Sequence, residues 1–163
     1  MTTVIDGTTG IDKVKDGSIV QADLGPNVAG NGPAFSAYQG VTQTLPSAAS
    51  TKINLQQEEF DTANAFDSST NYRFQPLVSG YYQLSGGFST VASVSSLAMV
   101  YKNGAEYKRG TFPATGNGAS ISALVYLNGS SDFVELYGFI GTGGNLVAIP
   151  AQTYFQGFLA RAA

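Results

Sequence analysis

The chain has 163 residues, 43% of them apolar and only 12% charged, with 20 Gly, 9 Tyr and a formal net charge of −3. That length suits one ordinary domain, and apolar content this high excludes intrinsic disorder. An acidic balance with scattered cations excludes a nucleic-acid surface, which needs clustered Lys and Arg; the closest grouping is Lys102, Lys108 and Arg109.

Cys, His and Trp are absent. Disulfides are therefore excluded, as are the usual zinc, haem and iron–sulfur ligand sets. Ser-His and Cys-His nucleophile pairs go with them. No 18 apolar residues run together, so no membrane insertion is expected. The start "MTTVIDGTTG" has neither a basic nor an apolar signal region, which argues against ordinary secretion.

Residues 1–32 are polar and glycine-punctuated, with Asp-Gly turn signals at 6–7 and 16–17. "SIVQADLGP" predicts one short helix, with capping-box spacing from Ser18 to Gln21 and a stop at Gly25-Pro26. The isolated aliphatic residues Val4, Ile5, Ile11, Val14, Ile19 and Leu24 cannot build a core of their own. The expectation is a segment held by a partner chain, or one packed on its own domain.

Residues 33–163 alternate strand-like runs with turn signals: "KINL", "YRFQPLV", "GYYQLSGGF", "SLAMVYKNG", "ALVYLNG", "DFVELYGFI" and "TYFQGFLA". Asn103-Gly104 and Asn128-Gly129 mark hairpins. No segment keeps a helical period, so the fold class is all-β, a sandwich or jelly roll.

Several strands are apolar on both alternating faces. Tyr154, Phe158 and Ala160 oppose Phe155 and Leu159; Leu97, Met99 and Tyr101 oppose Ala98 and Val100. A two-layer sandwich has one inner face per sheet, so a second apolar face meets either another subunit or a loop of its own chain.

"PAFSA" at 33–37 followed by "FQPLVSGYYQL" resembles the globular head of complement C1q, in the wider tumour-necrosis-factor-like family. Leu55, Asp61, Phe66, Phe74, Gly80 and Tyr82 stand at positions of the family pattern. Leu84 and Gly86 replace its last two aromatics, and the gap between Phe66 and Phe74 is one residue longer than the pattern. "YKNG", "LVYLNGSSDFVEL" and "YFQGFLA" look like the later strands. The resemblance implies a ten-stranded antiparallel jelly roll over residues 33–163 that assembles as a homotrimer. Tyr82, Leu84, Met99, Tyr154 and Phe158 are the candidate seam residues on that basis.

The leader is similar to those preceding fibre and receptor-binding modules of tailed-phage structural proteins. It implies a virion protein assembled in the bacterial host cytoplasm. Its N-terminal segment, through the six aliphatic residues named above, would dock on a tail, adaptor or capsid protein. The resulting tail or head fibre knob would contact a host glycan or protein. A capsid decoration trimer and a bacterial surface adhesin are the alternatives.

Recognition is expected on loops, which vary freely on a rigid sandwich. The candidates are Glu58, Glu59 and Asp61 in 58–70, Phe112 and Asn117 in 110–120, and Asn145 in "GTGGN". "GTGGN" lacks the Gly-Lys-Ser/Thr ending of a phosphate loop. Carboxylates at 58, 59, 61, 67, 132 and 135 admit glycosidase chemistry on paper, but they read as a solvated loop, a turn and an outer strand face. "EEFD" and "GSSD" are oxygen-rich without EF-hand spacing. No enzyme activity, cofactor or metal is expected.

Overall fold

The computed structural model describes residues 23–25, 28, 30–111 and 116–163. Among them, thirteen strands appear in chain order: β1 Ala34–Tyr38, β2 Thr44–Leu45, β3 Thr51–Lys52, β4 Gln57–Asp61, β5 Phe66–Asp67, β6 Arg73–Phe74, β7 Ser79–Ser89, β8 Ser96–Lys102, β9 Ala105–Arg109, β10 Gly118–Asn128, β11 Val134–Ile140, β12 Gly144–Asn145 and β13 Tyr154–Ala162. One sheet runs β10-β7-β13-β1-β4 and the other β5-β6-β11-β8-β9. β3 adds to β11, and β2 pairs with β12. The ladders are antiparallel, and the two five-strand paths form an antiparallel jelly-roll sandwich. The helix predicted from "SIVQADLGP" lies largely outside the described residues.

Two predicted strands are shorter than their apolar runs. "KINL" is strand only at its Lys52 end, and "YRFQPLV" only at Arg73–Phe74. Tyr72 has a left-handed φ of 51°, and Pro76 has no N–H for a ladder. Ile53 and Leu55 are still fully buried. Burial therefore persists where the ladder stops.

The core is aromatic at its centre. The Phe35 ring stacks on Phe74 at 4.2 Å and on Phe66 at 5.2 Å, and meets Phe155 edge-on at 5.3 Å. Tyr82 closes the cluster edge-on against Phe74, with centroids 5.5 Å apart. Gly157 makes room for this packing, because a Cβ there would lie 2.6 Å from the Leu84 side chain and 3.2 Å from the Phe35 ring.

Three candidate seam residues belong to the single chain's own interior. Tyr82 and Leu84 point inward from β7 into the core, where they are fully buried. The register explains it: Val125 and Leu159 flank Tyr82, and Ala123 and Gly157 flank Leu84, all on the inner face. Met99 faces the other side of its sheet, where residues of its own chain cover it. The Ser50 hydroxyl lies 3.8 Å from its sulfur, and Ala48 N bonds Ile140 O. The own-chain loop is therefore the cover here. Tyr154 is half-buried, while Phe158 is exposed on the outer face of β13.

The free edge of β10 is blunted rather than left open to strand addition. Lys102 Nζ donates to Tyr126 O at 2.8 Å, and Tyr107 OH to Leu124 O at 3.4 Å.

Candidate functional site

The outer face of the first sheet is the most unusual surface among the described residues. Strand alternation sends Tyr81, Gln83 and Ser85 of β7 outward, with Ser122, Leu124 and Tyr126 of β10 and Tyr154, Gln156, Phe158 and Ala160 of β13. None of these is charged. Tyr81 is 43% exposed, Leu124 52% and Phe158 53%, and half-exposed Phe60 of β4 extends the patch. Tyr81 and Tyr126 pair across the β7–β10 ladder with ring centroids 5.5 Å apart. Gln83 Nε2 bonds Ser122 Oγ at 2.8 Å, and Gln156 Nε2 bonds Ser85 Oγ at 3.2 Å, so the polar groups between the apolar lobes partly satisfy one another. Charge enters only at the margins, with Arg161 opposite Tyr81 and Glu59 on the Ser36 hydroxyl; apolar residues with internally paired amides and hydroxyls are the composition of a surface that loses little on desolvation.

The ends of the sandwich differ. Residues 1–32 enter the fold where Pro33 O accepts Leu159 N at 3.0 Å, beside the end at which β13 finishes and β7 begins. Leu24 is exposed there; Val4, Ile5, Ile11, Val14 and Ile19 lie outside the described residues.

At the opposite end, Asn117 O accepts Thr90 N at 2.8 Å and Asn145 O accepts Val91 N at 3.1 Å. Segment 90–91 thus joins two of the predicted loops. Segments 39–43, 90–95, 110–117 and 141–153 contain no charged residue. Val91, in the unforeseen connecting loop, is among the most exposed large apolar residues. Phe112 lies outside the described residues.

The acidic candidates stand apart, on β4 at the far edge of the sheet from β10. Glu59 accepts Ser36 Oγ at 2.8 Å, and Asp61 accepts Phe66 N at 2.7 Å and Ala63 N at 3.1 Å. Both have structural partners, and only Glu58 of the three keeps an unbonded carboxylate among the described residues.

The remaining ionised groups hold the frame. Glu135 is buried and pairs with Lys52 at 2.7 Å. Asp132 accepts Lys102 Nζ and Asn103 Nδ2, both at 2.8 Å; the Lys102 bond is the largest reason its carboxyl sits below its usual range. Burial pushes the Tyr82 hydroxyl up to about 12, and it donates to Val78 O at 2.7 Å. No group of three or more acidic side chains converges among the described residues in a way that would hold a metal ion.

No protein-family model matches the chain, and no curated protein matches it in sequence. Solved structures do match in fold. Murine APRIL aligns with a TM-score of 0.61 at 11% identity, covering 77% of this chain and 97% of APRIL. The globular domain of zebrafish complement 1qA aligns with a TM-score of 0.57 at 17% identity, covering 80% of this chain and 98% of that domain. Eiger, a TNF from S. frugiperda, aligns with a TM-score of 0.61 at 10% identity, covering 80% and 93%. The chain has the C1q/TNF-like jelly-roll fold expected from its motifs.

Proposed function

We propose that the protein is a non-enzymatic structural component of a phage virion, a homotrimeric knob attached through residues 1–32 and contacting the host surface. The observation that carries the trimer is the apolar centre of the first sheet's outer face, with Tyr81, Leu124, Tyr126 and Phe158 exposed together. A soluble chain gains by covering such a patch, and three copies around one axis cover it without leaving an open edge.

Two further features support an elongated, end-attached role. The N-terminal segment joins the fold at one end, and the uncharged loops at Asn117 and Asn145 lie at the other. Threefold display repeats each weak contact, and the avidity compensates for modest single-site affinity.

Mass spectrometry of purified particles tests the virion role, combined with particles lacking the protein. Its presence, with adsorption lost and particle integrity kept, is the expected outcome. Absence from particles contradicts the role. Fragile particles with normal adsorption favour capsid decoration instead.

A further inference from the structure

A cleft of about 540 Å³ lies on the flank of the sandwich, between β4 and the β5–β6 hairpin, lined by Glu58, Asn64, Asp67, Arg73, Gln75 and Leu77 among others. Its charged groups fall into two kinds. Asp67 is committed to its own loop, accepting from Thr70 N at 2.9 Å, Asn71 Nδ2 at 2.7 Å and the Ser69 amide and hydroxyl at 3.0 Å. Glu58 and Arg73 have no hydrogen-bond or ion-pair partner among the described residues. Arg73 is nevertheless held in place, its guanidinium stacked 4.3 Å over the Phe133 ring. That stacking leaves the in-plane N–H donors available. Leu77 stands beside them, 81% exposed, the most exposed large apolar side chain described.

A fixed donor fork, a free carboxylate acceptor and an apolar platform in one cleft match a ring that is hydroxylated at its rim and apolar on one face. The charges decide the class. Arg73 against Glu58 and Asp67 leaves the cleft with one excess negative charge, which disfavours anionic ligands, while the unpaired Arg73 guanidinium in its lining disfavours a cation. We infer that the cleft binds an uncharged pyranose unit of a surface polysaccharide, with Leu77 against its apolar face and Arg73 and Glu58 on neighbouring hydroxyls. This rests on the host-contact reading and names its ligand class. One sugar unit of this size binds weakly, at about millimolar Kd.

The test is NMR titration of the full chain with methyl glycosides of the common neutral hexoses and N-acetylhexosamines, and with glucuronic acid as the charged comparison. The expected result is saturable shifts around Arg73 and Leu77 from at least one neutral glycoside, and weaker shifts from glucuronate. Arg73→Gln and Leu77→Ser should each weaken binding about tenfold or more, and Lys108→Ala, on exposed β9 at the far edge of the second sheet from β5, should leave it unchanged. Leu77→Ser alters an exposed side chain, so it decides the matter even if Arg73→Gln fails to fold. No shifts from any neutral glycoside, tighter binding of glucuronate, or full binding by Leu77→Ser would overturn the inference. Finding the chain in particles without sugar binding removes the cleft proposal alone; absence from particles removes the host-contact reading instead.

Discussion

Tyr81 and Tyr82 are adjacent in the chain and serve opposite sides of one sheet. Tyr82 lies in the core with its hydroxyl on Val78 O at 2.7 Å, while Tyr81 is 43% exposed and pairs with Tyr126. The side chains of neighbouring strand residues alternate between faces. The doubled tyrosine therefore reports two apolar faces, one satisfied inside the chain and one on its surface.

Replacing outer-face residues should separate association from folding. Leu124→Ser with Phe158→Ser removes exposed apolar surface and no core contact. Size-exclusion chromatography should give a smaller species with an unchanged circular dichroism spectrum. An unfolded product would mean these side chains support the single chain.

Tyr82→Phe should do the reverse. It deletes one buried hydrogen bond and should cost about 1 kcal/mol in denaturant unfolding. The assembled mass should not change; a fall in mass at unchanged spectrum would return Tyr82 to the seam.

Lys52→Met leaves the Glu135 carboxylate without the ammonium 2.7 Å away. Lys52 keeps about a third of its side chain in water, so the loss lies between the exposed and buried limits, at roughly 2 kcal/mol. The double variant Lys52→Met with Glu135→Leu should recover most of it. A single variant as stable as the parent would show that the pair contributes nothing.

Gly157→Ala places a methyl group 2.6 Å from the Leu84 side chain and 2.8 Å from Gln83 O. Overpacking of that kind should destabilise by about 1–3 kcal/mol. Equal melting temperatures would mean that β13 shifts outward freely.

Acid should weaken the fold through Asp67 and Asp132. The Thr70 amide is the largest cause holding the Asp67 carboxyl well below its usual range, and the Lys102 ammonium does most to lower Asp132. Both folded pKa values are depressed, so their stabilisation is complete above the unfolded value of about 4 and is lost as pH falls through the folded values. Melting temperature should be flat down to about pH 5 in this respect and fall below about pH 4. Asp67→Asn should flatten that decline; an identical acid slope would remove Asp67 from the account.

Much of the fold was legible because alternation and turn chemistry agree locally. Phe155 against Phe158, and Ala98 and Val100 against Leu97 and Met99, fall on the faces that a period of two dictates. What covers a second apolar face is not a local property. Met99 and Phe158 look alike in sequence, yet the 47–52 segment lies over Met99 while Phe158 stays half-exposed among the described residues. The same holds for Tyr82 and Leu84, which lie in the core and not at a seam: "GYYQL" fixes which residues share a face, and only the second sheet decides which face is inside. The free Arg73 of the flank cleft had no sequence signal, since its availability depends on Asp67 spending its carboxylate on its own loop.

The most direct measurement is the solution mass of the full chain by light scattering. Covering the apolar face around a threefold axis predicts a single species of three times the 16.9 kDa chain mass, stable to high salt because apolar burial carries the contact and the charges of Arg161 and Glu59 stand only at its margins. A monomer at micromolar concentration, with Tyr81, Leu124 and Phe158 left in water, would contradict it.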